Sequence, residues 1–187
     1  MKFDQHIIDK YHLTPKELNL TMQSYVPLQL KSNDYFLQEG QICDRIGFVK
    51  KGMLRSFFYD EQGNDITTAF YPEGSLIIAF ESFNNRLPAK ESIKAIENIE
   101  LMIIRYERQK ELYQLIPAWN HICKDLADVM SREMIERAKS FQVLSAAERY
   151  KKFCKDHPDL LQRVNLGYIA SYIGVDIATL SRIRAKR

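Results

Sequence analysis

The most restrictive stretch of this 187-residue chain lies in its last quarter, Leu166-Gly167-Tyr168-Ile169-Ala170-Ser171-Tyr172-Ile173-Gly174-Val175-Asp176-Ile177-Ala178-Thr179-Leu180-Ser181-Arg182-Ile183-Arg184. Two helices that meet at a tight turn need a small residue where they approach, and Ala170 supplies it. Four positions later the turn needs a residue that tolerates positive φ, and Gly174 supplies that. Ile169, Ile173, Val175, Leu180 and Ile183 fall where the inside of the corner must be filled, and Asp176 stands where a side-chain oxygen caps the second helix. The pattern predicts a helix-turn-helix.

Charge is distributed accordingly. The whole chain carries only +3, but Leu144 to Arg187 holds nine Lys/Arg against four Asp/Glu, which is +5 and leaves −2 for the rest. A local basic excess is what a small DNA-contacting module requires. In such a motif the second helix enters the major groove with its N-terminal part leading. The positions it exposes are Asp176, Ile177, Ala178, Thr179, Ser181, Arg182 and Arg184 to Lys186. Arg182 is the expected base reader, because its fork pairs both guanine acceptors. Thr179 and Ser181 suit a base edge or a phosphate, Ile177 and Ala178 a thymine methyl, and Tyr168, Ser171, Lys186 and Arg187 phosphate positioning. The bland alternative is a helical corner without DNA contacts, and the basic excess speaks against it.

Upstream the texture changes. Residues 1–29 read as short helices, with Thr14-Pro15-Lys16-Glu17 forming a capping-box start. From about Leu30 to Arg105, short β-rich runs alternate with turn signals every 10 to 12 residues: Tyr35–Leu37, Ile46–Val49, Met53–Tyr59, Ile66–Tyr71, and Ser92–Ile104 as one or two strands. Ile99, Leu101 and Ile103 should share one face. That spacing predicts a compact antiparallel barrel or roll.

From Pro117 to about Phe141 the period becomes helical. Trp119, Ile122, Leu126 and Val129 form one apolar stripe, and Cys123, Ala127, Met130, Met134 and Phe141 an adjacent one. Two stripes allow one to pack on the roll and the other on a second chain, so this is the expected dimer helix, with Trp119, Ile122, Leu126, Val129, Met130 and Met134 as its contact residues. Ser145-Ala146-Ala147-Glu148 is a second capping box that opens a helix through Cys154. The expected organisation is a roll with N-terminal helices over 1–116, a dimerisation helix over 117–143 and the DNA module over 144–187.

Composition excludes other classes. With 45% apolar and 27% charged residues the chain is neither collagen-like, nor low-complexity disorder, nor a disulfide mini-scaffold. No run approaches the ~18 apolar residues of a membrane span. Asp4 interrupts what would be a signal peptide's apolar core, so a cytoplasmic protein is expected. Cys43, Cys123 and Cys154 form no CxxC pair and read as reduced thiols. A roll can also house a metal enzyme, but its histidines must converge inside the barrel, and His6, His12, His121 and His157 all lie outside the β region. No nucleophile elbow, P-loop or dinucleotide fingerprint appears, so neither catalysis nor a metal is expected.

The order of roll, long helix and helix-turn-helix resembles the CRP/FNR superfamily, the cyclic-AMP receptor type of bacterial regulators. Glu39-Gly40, Phe48-Val49 with Gly52, Leu54-Arg55-Ser56-Phe57, Gly63 and Phe70-Tyr71-Pro72-Glu73-Gly74 carry the resemblance alongside the tail. It implies an α+β fold, an N-terminal β-roll of the double-stranded β-helix, cyclic-nucleotide-binding type followed by the dimerisation helix and the helix-turn-helix. It further implies a homodimer on double-stranded DNA with two-fold symmetry, RNA polymerase as a partner, and an effector pocket inside the roll. The matching pocket positions are Gly74, Ser75, Leu76, Arg86, Ala89, Lys90 and, from the long helix, Met134. Ser75 stands where the family's ribose-binding Glu belongs, so cyclic AMP is not the expected effector. Some relatives hold an iron–sulfur cluster through N-terminal cysteines, whereas the first cysteine here is Cys43. Haem has no ligand pattern either, so no cofactor is expected. Many relatives place a β-wing after the second helix, whereas this sequence reaches Arg187 within or just past it, so that branch is expected to lack the wing or to carry it beyond these residues. The competing reading is a cyclic-nucleotide- or small-ligand-binding signalling module without sequence-specific DNA binding.

Overall fold

The computed structural model describes residues 9–185. The chain separates into two compact units, Met1–Arg55 with Phe70–Met130, and Ser56–Ala69 with Ser131–Arg187.

Helix α1 (Pro15–Gln23) opens on the expected capping box: the Glu17 amide donates to Thr14 Oγ1 at 3.3 Å, and the Thr14 amide donates to Glu17 Oε2 at 2.9 Å. Eight strands follow, β1 (Val26–Leu30), β2 (Tyr35–Leu37), β3 (Arg45–Lys51), β4 (Leu54–Tyr59), β5 (Asp65–Tyr71), β6 (Leu76–Ile77), β7 (Ser92–Ala95) and β8 (Ile99–Arg105), with α2 (Phe80–Asn85) between β6 and β7. They form two four-stranded sheets, ordered β1-β8-β3-β6 and β2-β7-β4-β5. The first strand therefore lies beside the eighth, the second beside the seventh, the third beside the sixth and the fourth beside the fifth. A chain paired in this nested way is a long hairpin rolled upon itself, the β-roll expected above. The pairing is antiparallel, with Leu28 opposite Leu101 and Phe48 opposite Met102.

One reading needs correction. Residues 1–29 do not all form helices, because Val26–Leu30 is strand β1; residues 1–8 lie outside the described part. Pro27 disguised it. Proline in a strand is tolerated at a sheet edge, where its missing N–H costs no ladder bond, and β1 is an edge strand. The Ser92–Ile104 run resolves into two strands, β7 and β8.

Period-2 alternation places Ile99, Leu101 and Ile103 in the core, all buried as expected. Phe36, Val49, Leu54, Ile77 and Ile93 join them from other strands. The core extends into α3 (Tyr106–Leu115) through Leu112 and into the first turns of α4 (Pro117–Val143) through Trp119 and Ile122. Lys10 and Tyr11 both donate to Asp125 on α4, which holds that carboxyl down at about 2.

In the second unit α5 (Ala146–Asp156) opens on the Ser145–Glu148 capping box, and α6 (Leu160–Arg163), α7 (Leu166–Tyr172) and α8 (Ile177–Ala185) follow. Tyr150, Phe153, Leu160, Ile169, Ala170 and Leu180 are buried on these helices, and Val164 and Ile173 are buried just past the ends of α6 and α7. None of the three cysteines is in a disulfide, and burial pushes the Cys43 and Cys123 thiols up. Among the described residues no helix is long and apolar enough to cross a membrane.

The turn that carries the chain from β3 in one sheet to β4 in the other falls at Gly52, with φ at 87°, where an added Cβ would lie 2.4 Å from the Asn98 carbonyl oxygen. Both backbone conformation and space therefore demand glycine. Gly52→Ala should destabilise the protein by about 2 kcal/mol or more, read as a lowered urea midpoint. A midpoint within error of wild type would refute this reading of the turn.

Candidate nucleic-acid interface

The α7–α8 corner is built from local rules. Asn165 caps α7, accepting from the Gly167 amide at 2.8 Å. At the far end the chain reverses at Gly174, with φ at 71°. There the Gly174 amide donates to the Ser171 carbonyl at 3.1 Å and the Val175 amide to the Ala170 carbonyl at 3.0 Å, so the last carbonyls of α7 find donors across the turn. A Cβ on Gly174 would approach Phe141 Cε1 to 2.6 Å. Ile169, Ile173 and Leu180 fill the inside of the corner and are buried. Val175 and Ile183 are half-buried.

Asp176 caps α8. The Thr179 amide donates to its Oδ1 at 2.6 Å and the Thr179 hydroxyl to its Oδ2 at 3.0 Å. These two bonds hold the Asp176 carboxyl below its ordinary range. Arg182 Nη2 in turn donates to Thr179 Oγ1 at 3.0 Å. The chain Arg182–Thr179–Asp176 draws the guanidinium back along the helix toward its N-terminal end. Asp176, Ile177, Ala178, Ser181, Arg182 and Arg184 are exposed and Thr179 is half-buried. Ala178 and Arg182, four apart, share a face, as do Ile177 and Ser181.

The first helix is less open. Tyr168 and Ser171 are half-buried. The Ser171 hydroxyl donates to the Tyr168 carbonyl at 3.2 Å and accepts from the Thr67 amide of β5 at 3.1 Å. In this arrangement its proton is already used, which leaves it little to offer a phosphate. Lys186, like Arg187, lies outside the described residues.

Along α4 the candidate dimer residues divide by position as well as by stripe. Trp119 and Ile122 are buried in the roll's own core, and Met130 packs against that core. Leu126 and Val129 are exposed, as are Met134 at 72% and Ile135. The apolar surface that α4 leaves exposed therefore lies beyond its first two turns.

The effector-pocket positions can be tested against a cyclic phosphate, which needs a buried cation and free backbone donors. Arg86 Nη1 donates to the Cys43 carbonyl at 2.6 Å, and its guanidinium lies 4.0 Å from the centre of the Tyr106 ring. Lys90 pairs with Glu81 at 2.8 Å on the surface. The Gly74 amide is bonded to the Val49 carbonyl, the Ser75 amide to the Pro72 carbonyl and the Ala89 amide to the Gln41 carbonyl. Leu76 pairs with Phe48 across β6 and β3, and Met134 is solvent-exposed. Arg86 and all three amides are bonded within the fold, and Lys90 holds an exposed ion pair, so these positions offer no free, buried cation to a cyclic phosphate. An open cleft of about 460 Å³ lies elsewhere on the roll, lined by Lys31, Asp34, Lys51 and Glu100 among others; its balanced charges make no anion site.

Two contributors to the corner escaped the sequence reading. Arg137 on α4 and Arg149 on α5 donate to the Tyr172 and Ile173 carbonyls. A mechanism for finding them in sequence is lacking, since the partners lie 35 and 24 residues away.

Because the folded-state pKa of Asp176 is depressed, the cap is fully present above the ordinary carboxylate range of ~4 and is lost as pH falls through the lower, folded value. Amide exchange of Thr179 should therefore accelerate beyond its intrinsic pH dependence as α8 uncaps in acid. Asp176→Asn, whose cap does not titrate, should remove that step. An identical acid step in both proteins would rule out Asp176 as its source.

Comparison with known proteins agrees with this architecture. Residues 27–115 match the cyclic nucleotide-binding domain family. The transcriptional activator protein Anr of Pseudomonas protegens is 26% identical over 170 residues, covering 82% of this chain and 67% of that protein. The structure of FixK2 from Bradyrhizobium japonicum superimposes with a TM-score of 0.76 at 13% identity, covering 87% of this chain and 83% of that one. A transcriptional regulator of the CRP/FNR family from Eubacterium rectale also gives 0.76, at 15% identity, over 98% of this chain and 87% of that one. With the nested roll, the long helix and the Gly174 corner in one chain, this protein shares the fold of the CRP/FNR-type regulators to which it is similar.

Proposed function

We propose that this chain is a homodimeric, DNA-binding bacterial transcription regulator that works in the cytoplasm, is not an enzyme and passes its signal to RNA polymerase. The observation that carries the reading is α8 itself, capped by Asp176 and exposing Ile177, Ala178, Ser181 and Arg182 on its outer surface. Arg182 reads guanine, Ile177 and Ala178 contact thymine methyls, and Ser181, Arg184 and Lys186 contact base edges or phosphates. A second copy covers Leu126, Val129, Met134 and Ile135 on α4. The two recognition helices then meet half-sites about 34 Å apart. A signal that changes how α4 packs re-aims them. If the roll takes an effector, it is not a cyclic nucleotide, because Arg86, Lys90 and the Gly74, Ser75 and Ala89 amides are committed within the fold.

Gel shift against fragments from upstream of the protein's own gene should show a salt-sensitive band. Arg182→Ala should weaken the specific complex by about 1–3 kcal/mol, roughly fivefold to 150-fold. No shift with any fragment at low salt would defeat the regulator reading in favour of the signalling module. Calorimetry with cyclic AMP and cyclic GMP should show no binding in the micromolar range. Micromolar affinity for either would overturn the effector reading.

A further inference from the structure

The turn between α7 and α8 is held from outside the motif. Arg149 Nε donates to the Ile173 carbonyl at 2.8 Å while its Nη1 donates to the Leu144 carbonyl at 2.8 Å. One planar guanidinium thus ties the end of α7 to the α4–α5 link. Arg137 Nη2 donates to the Tyr172 carbonyl at 3.0 Å, and its guanidinium lies 4.5 Å from the centre of the Tyr172 ring. Phe141 stands within cation–π range of both arginines, at 5.2 Å from Arg137 and 4.9 Å from Arg149. Its ring edge also occupies the space a Gly174 side chain would take. The last carbonyls of a helix have no partner of their own. Here two of them accept charge-assisted bonds, which are stronger than neutral ones.

We propose that Arg149 and Arg137 are positioning residues for DNA recognition, fastening the α7–α8 turn to α4 and the α4–α5 link so that the orientation of α4 sets that of α8. The anchored Ile173 carbonyl is only four residues from Ile177, where α8 begins, and Asp176 fixes that first turn. Little slack therefore remains between the anchor and Arg182. The bridge requires arginine, because only its fork reaches two carbonyls in fixed geometry; lysine keeps the charge as a single point. The proposal rests on the reading of α8 as the recognition helix.

The test uses the full chain. Wild type first selects duplexes from a random library, and the selected duplex becomes the probe, together with versions in which one central base pair is inserted or deleted. Arg149→Lys and Arg137→Lys preserve net charge; Lys139→Ala, on an exposed lysine of α4, is the charge-loss control. The lysine variants should keep wild-type helix content and bind non-specific DNA as wild type does, since that term follows charge. Their affinity for the selected duplex should fall about tenfold, and the wild-type preference among spacer lengths should flatten to within about twofold, because half-site separation is a geometric match. Wild-type affinity and spacer preference in both variants would overturn the proposal. So would an equal loss on specific and non-specific DNA, or loss of fold in both, since either would make the arginines supports of the fold alone. Failure of wild type to select any duplex would instead defeat the underlying reading of α8, and the two failures are told apart before any variant is measured.

Discussion

Helix α4 sets the terms for the rest of the molecule. It runs for 27 residues, about 40 Å at 1.5 Å per residue. Its first turns are built into the roll's core through Trp119 and Ile122, yet Leu126, Val129, Met134, Ile135 and Val143 are exposed. That uncovered apolar surface is what the proposed homodimer would cover, with a second copy of the same helix as the partner. The far end carries Arg137 and Phe141, which meet the α7–α8 turn. One helix therefore buries its first turns in the roll's core and bonds the α7–α8 turn near its other end.

The roll has a nested strand order, while the residues at its pocket positions are engaged within the fold. Strand pairing depends on alternation and on turns such as Gly52, which survive exchange of the residues lining a pocket. Binding a cyclic phosphate depends on uncommitted donors, and Arg86 and Lys90 are spent on Cys43, Tyr106 and Glu81. The fold is therefore a scaffold whose input must be argued from its own residues, not from its architecture.

Legibility in the sequence followed how strongly each feature restricts residue type. The corner was plain because Ala170, Gly174 and Asp176 each answer a backbone requirement few residues meet. The capping boxes at Thr14 and Ser145 were plain for the same reason. Strands β2 to β5 showed as β-rich runs between turn residues. Strand β1 did not, because Pro27 and only partly buried Leu28 and Leu30 weaken its alternation. Helix α3 was hidden by Gln109, a buried polar residue that interrupts its apolar period. The two stripes of α4 were visible, but periodicity cannot show how far along the helix the roll's cover extends. At the candidate site, the exposed residues of α8 followed from the motif, whereas the bond from Thr67 to Ser171 and the arginine contacts to α7 depend on tertiary placement.

The central claim is that a symmetric pair of α8 helices reads DNA in the major groove through Arg182. Methylation interference on a duplex bound by the full chain tests it most directly, because a methyl group on guanine N7 blocks the acceptor that an arginine fork uses. The account predicts one interfering guanine in each half-site, the two separated by about 10 base pairs or a multiple of it on a two-fold sequence. Interference confined to adenine N3 in the minor groove, or binding indifferent to every guanine N7, would contradict it.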